Sequence, residues 1–93
     1  MNKTTIEVNR VLGRPQYTVC YEEGSVTLPI GVINYDAIVD AIITQRYPSD
    51  KMMAVINNYM LSPDDESIKA ECQEMQAWRQ RAKEVAKEAI ELL

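Results

Sequence analysis

The one dense cluster of carboxylates in this 93-residue chain is Asp64-Asp65-Glu66, and adjacent acids are the residue type that can hold a hard divalent cation. Their spacing is not that of a calcium loop, which distributes its oxygen ligands at alternating positions around a glycine. They follow Ser62-Pro63 directly, and an acidic first turn at the positive end of a helix accounts for them without an ion. A second pair, Asp36 and Asp40, lies one helical turn apart, a separation at which two carboxylates can share acid and base work, but no partner ligand accompanies it. The chain contains no histidine, which removes the commonest general base near neutral pH and the commonest metal ligand. Gly13, Gly24 and Gly31 form neither a phosphate-cradling loop nor a dinucleotide fingerprint. No catalytic residue, cofactor-binding residue or metal ligand is therefore assigned, no cofactor is expected, no small-molecule substrate is evident, and the expected class is non-enzymatic.

Two further constellations bear on binding. Trp78-Arg79-Gln80-Arg81 sets one stacking aromatic beside two phosphate-seeking bases, but Glu71, Glu74 and Glu84 flank it. A core-facing tryptophan beside solvated arginines explains the run more simply. Cys20 and Cys72 are 52 positions apart and form neither a disulfide framework nor a CxxC ligand pair, so they read as reduced packing thiols of a cytoplasmic protein. Net charge is −4 and the isoelectric point is about 4.7, which argues against a nucleic-acid or anionic-membrane partner. The acidity is shared: residues 1–61 hold six acids and five bases, residues 62–93 eight and five. No stretch approaches the roughly 20 apolar residues of a membrane span, and MNKTTIEVNR lacks the apolar centre of a signal peptide.

The elements that carry these residues can be read from periodicity. Thr4–Leu12 alternates weakly with period two, Gly13-Arg14-Pro15 breaks the run, and Gln16–Glu22 alternates with Tyr17, Val19 and Tyr21 on one face. Glu22-Glu23-Gly24-Ser25 is a short loop, Val26-Thr27-Leu28 returns, and Pro29 ends that strand. After Gly31 the period becomes helical. Asn34 caps a helix whose face is Tyr35, Ile38, Val39, Ile42 and Ile43, ending at Tyr47-Pro48. Ser49 caps a second helix with Met52, Val55, Ile56, Tyr59 and Met60 as its face. The expected fold is α+β in a single domain, 1–93. Its β-rich part, 1–30, forms an antiparallel hairpin or three-stranded sheet; a helical hairpin spans 34–61 and one long helix 62–93. The hairpin at 34–61 also permits a DNA-binding helix-turn-helix, in which Lys51 would be the only base of the second helix and Asn57 and Asn58 its base readers.

The last helix is the most informative element. Ser62 can cap it, Pro63 suits its first turn, and Asp65 falls where a capping-box partner belongs. Thirty-one residues would span roughly 46 Å, against roughly 30 Å for a compact domain of this size. Ile68, Met75, Ala82 and Ala89 fall in one heptad register, Trp78, Val85 and Leu92 in the other, and Cys72, Ala86 and Leu93 widen the stripe. The expectation is that Ile68–Trp78 covers the domain core. Ala82–Leu93 should then reach beyond the core, either to fray at the terminus or to contact a partner, with Trp78 as anchor and Ala82, Val85, Ala89 and Leu92 as seam.

Tyr47-Pro48-Ser49-Asp50-Lys51-Met52, Ile56-Asn57-Asn58-Tyr59 and Glu74-Met75-Gln76-Ala77-Trp78-Arg79 resemble small uncharacterised proteins encoded in phage and prophage structural-gene clusters, over about residues 45–88. The resemblance implies a virion-associated or assembly role. The reading is thus a structural or interaction protein that associates with itself or another protein through its C-terminal helix. The alternative is a small DNA-binding regulator.

Overall fold

Alternation in the first third builds the sheet. A computed structural model describes residues 3–93; Met1 and Asn2, the start of the β-rich part, lie outside the described residues. The elements run β1 (Thr5–Val11), β2 (Arg14–Tyr21), β3 (Gly24–Thr27), α1 (Tyr35–Arg46), α2 (Ser49–Leu61) and α3 (Glu66–Glu91). The strands form an antiparallel meander in the order β1-β2-β3, with Val11 opposite Arg14 and Tyr21 opposite Gly24, so two two-residue turns connect them. In the first turn Leu12 and Gly13 both have positive φ, 52° and 76°, the geometry that matches strand twist and favours Asn-Gly over Leu-Gly. The fold is α+β, a three-stranded sheet followed by three helices of which the last is long.

Val19, Tyr21, Val26 and Leu28 face the helices and are buried. The opposite face is polar and open, with Thr18 and Thr27 hydroxyls 3.0 Å apart and the Cys20 thiol donating to Glu7 at 3.3 Å. Asn34 caps α1 by accepting the Ala37 amide at 2.8 Å. Ile38, Ile42 and Ile43 are buried on α1, whereas Tyr35, expected on the same face, is 41% exposed. Gln45 then ties α1 to the sheet, accepting from Tyr21 Oη at 2.6 Å and donating to the Ser25 carbonyl at 2.8 Å.

Three expectations change. Helix α3 begins at Glu66 with Asp65 as its cap, not at Ser62: residues 62–64 are a turn closed by the Asp65 amide on the Ser62 carbonyl at 3.1 Å. Ser49 lies inside α2, whose cap position is Pro48, and no side chain caps it. Residues 34–61 are not a helical hairpin, because α1 and α2 each pack on α3 and scarcely touch one another. The two-residue link at Tyr47-Pro48 carries the chain along α3 instead of folding it back. The body is therefore long and thin, 52 × 30 × 17 Å with a radius of gyration of 15.5 Å, against about 12 Å for a compact chain of this length.

Candidate functional site

The two halves of α3 have the opposite roles to those its heptad rhythm predicts. Met75, Ala82, Val85, Ala86 and Ala89 are fully buried and Trp78 is 5% exposed, all in one core with α1 and the sheet. Trp78 is fixed on three sides. Its Nε1 donates to the Ile42 carbonyl at 2.9 Å, the Arg46 guanidinium lies 3.7 Å from the ring centre, and the Tyr21 ring is 6.4 Å away. Of the five residues expected to form an intermolecular seam, Trp78, Ala82, Val85 and Ala89 are spent on the chain's own core; Leu92 alone remains open, at 57%. The physical reason is topological. Helix α1 packs closely along the C-terminal half of α3, where Ala82, Ala86 and Ala89 are small, and the sheet meets the same half through side chains. At that end Thr4 donates to Glu88, and Arg81 makes two bonds to Glu23, at 2.9 and 3.1 Å. The Arg81 bonds hold the Glu23 carboxyl below its ordinary range.

The open half is the N-terminal one, together with α2. Between Glu66 and Glu74 only Ile68 and Cys72 are even half-buried, and on α2 only Val55 is buried, with Met52 partly covered. The two helices form an arm beyond the sheet, and several of its apolar residues remain in solvent. Met53 is 62% exposed, Ile56 and Tyr59 37% each, Met60 73% and Leu61 82%. Residues 52–61 include no charged side chain. Beside them a shallow groove of about 260 Å³ runs between Tyr59 of α2 and Lys69, Cys72 and Gln76 of α3. Met53, Met60 and Leu61 carry the apolar residues of α2 beyond the stripe of Met52 and Val55 that is covered, with Asn57 and Asn58 among them. The periodicity of α2 correctly marks an apolar face, but Ile56, Tyr59 and Met60, expected inside, face water. Met53 and Leu61 were outside the expected face; the lack of any charge from Met52 to Leu61 was the available signal.

The candidate chemical groups do not converge. Asp65 Oδ1 accepts the Ser67 hydroxyl at 2.8 Å and the Ser67 and Ile68 amides at 3.0 and 3.2 Å, and these bonds, the hydroxyl first, hold its carboxyl below its ordinary range. Asp36 and Asp40 are exposed on α1. Among the described residues no group of three His, Cys, Asp or Glu side chains gathers in metal-binding geometry. Cys20 and Cys72 are both free and half-buried, and burial with the neighbouring Glu7 carboxylate pushes the Cys20 thiol up, away from reactivity. Arg79 and Arg81 do not form a basic platform with Trp78, whose ring is inside. Nor does α2 stand against α1 as a recognition helix does. Among the described residues no helix is long and apolar enough to cross a membrane. No family model, curated protein or solved structure matches the chain.

Proposed function

We propose that this chain is a non-enzymatic structural or assembly protein of phage or prophage origin, and that it associates with other copies of itself through the arm. The observation that carries the reading is the charge-free, solvent-facing surface of α2, centred on Met53, Ile56 and Met60. Contiguous apolar surface of this kind on a small chain marks an interaction site. Two properties favour a second copy as the occupant. Each chain carries −4, so like chains approach most easily where neither presents charge, and 52–61 is such a stretch. The accessible surface is 6192 Å², whereas a compact monomer of 10.6 kDa exposes roughly 5,500 Å². The surplus is close to the roughly 800 Å² that each partner contributes to a standard interface. Domains this small have little core to spare, and association supplements it.

Sedimentation equilibrium over a concentration series tests this, on the wild type and on Met60→Glu. The wild type is expected to exceed 10.6 kDa at high micromolar protein. Met60 contacts too little of its own chain to matter for folding, so the variant is expected to keep the wild-type melting temperature while running as a monomer. A wild type that stays monomeric throughout would sink the reading.

A further inference from the structure

Helix α2 is the most loosely held helix of the fold. It contributes Val55 alone to the buried core, with Met52 packed against it. Fully burying one valine favours the docked state by only about 10- to 100-fold. Among the described residues no side-chain hydrogen bond or ion pair joins α2 to another element. By contrast, Gln45 ties α1 to the sheet, Ile42 and Arg46 tie it to Trp78, and Arg81 ties α3 to Glu23. Lys51 Nζ lies 5.1 Å from the centre of the Tyr47 ring, but that contact is local to the link that precedes α2. Nor does α2 add much of its own. No side chain caps its start and no base stands in its last turn, and Val55, Ile56, Asn57 and Asn58 are poor helix formers. Its 13 residues are a length at which an isolated helix is marginal in water.

The neighbouring helices do not depend on it. The end of α1 is closed by the Tyr47 amide on the Ile43 carbonyl at 2.8 Å, and α3 begins on its own cap, the Asp65 carboxylate. Both flanking segments, Tyr47-Pro48 and residues 62–65, are non-helical, so each can turn without breaking a helix. Few buried contacts, exposed surface and self-contained neighbours are the marks of a segment that opens on its own. We infer that α2 is a detachable strap: it leaves α3 as a unit while the sheet, α1 and the C-terminal half of α3 stay folded. Undocking uncovers Ile68 and Cys72, both half-buried when the strap is closed, with Cys72 beside Tyr59 in the groove. The strap is a property of the single chain and holds whether or not copies associate. It adds a switch to the assembly reading, because a copy seated on docked α2 shifts the equilibrium toward the closed form.

Native-state hydrogen exchange on dilute wild-type protein, in urea below the unfolding midpoint, tests the strap first. Amides 53–61 are expected to share one opening, populated at least about tenfold more than the opening that exposes 82–89 and less steeply dependent on urea, because less surface is exposed. A common protection and urea slope for both segments would make α2 part of one cooperative unit and overturn the proposal. Protection graded inward from the ends of α2 would reduce the strap to fraying and overturn it equally. The second test is Val55→Asp, which places a charge where the strap docks, in a Cys20→Ser background that leaves Cys72 as the only thiol. This chain is expected to keep a cooperative melt and its Trp78 emission, to lose far-ultraviolet helical signal, and to react with a thiol reagent about tenfold faster than its parent. A Val55→Asp chain that unfolds altogether, or whose Cys72 reacts at the parent rate, overturns the strap. Association is read separately by the sedimentation series, so either reading can fail while the other stands.

Discussion

Replacing Trp78 by phenylalanine separates a core anchor from an interface anchor. The structure gives the side chain three attachments that phenylalanine keeps only in part. Losing the Nε1 bond to the Ile42 carbonyl costs about 1 kcal/mol. The Arg46 guanidinium at 3.7 Å stacks less favourably on the smaller ring, worth about 0.5 kcal/mol at this exposed cation. The missing second ring leaves a void in the core beside Ile42 and Tyr21, at a cost on the order of 1 kcal/mol. The total is about 2–3 kcal/mol, which in a domain of this size lowers Tm by roughly 10–20 °C. Trp78→Ala, at about 3–5 kcal/mol, approaches the whole stability of a small domain. Thermal melts followed by far-ultraviolet circular dichroism in dilute protein read the effect. Urea titration supplies the free energy, with the wild type's single tryptophan reporting its own burial. A Trp78→Phe variant that melts with the wild type in dilute solution but loses association at high concentration would refute the core assignment and return Trp78 to an intermolecular seam.

Leu12→Asn places at a φ of 52° a residue that tolerates the left-handed region, and relieving about 1 kcal/mol of strain should raise Tm of the dilute protein by roughly 4–8 °C; no change would mean the turn is unstrained. Glu23→Gln removes the carboxylate that Arg81 holds. Because the folded-state value of Glu23 is depressed, its contribution is present above the unfolded carboxyl value and is lost as pH falls through the folded one. The variant should therefore lie below the wild type by at most about 1 kcal/mol near pH 7 and converge with it in acid, and a gap that persists in acid would assign the difference to packing.

The sheet was legible because period two in Tyr17, Val19 and Tyr21 needs no knowledge of what lies above it, and turn residues bound each strand. Asn34 was legible as a cap for the same reason: its interaction with Ala37 is three residues long. Ser62 reads as the cap of the last helix and Asp65 as its capping-box partner, whereas Asp65 is itself the cap. The carboxylate prevailed by taking three donors, from Ser67 and Ile68. The stripe on α3 was also read correctly as a stripe, since Met75, Trp78, Ala82, Val85 and Ala89 are all buried. What covers it was not. A heptad pattern records that a face is buried and is silent on whether a sheet of the same chain or another molecule buries it. That was decided by the long-range packing of α1 and the sheet's side chains on the C-terminal half of α3, which has no local signature. The same gap misplaced α2: its apolar face was visible, and that only its Met52 and Val55 side is covered was not.

The most direct measurement is residue-resolved amide hydrogen exchange in dilute and concentrated protein. The account predicts that amides 82–89 are already among the slowest in the dilute monomer and change little with concentration, whereas amides 52–61 exchange fast when dilute and slow markedly as copies associate. Fast exchange at 82–89 in the monomer, with protection appearing there and not on α2 as concentration rises, would contradict it.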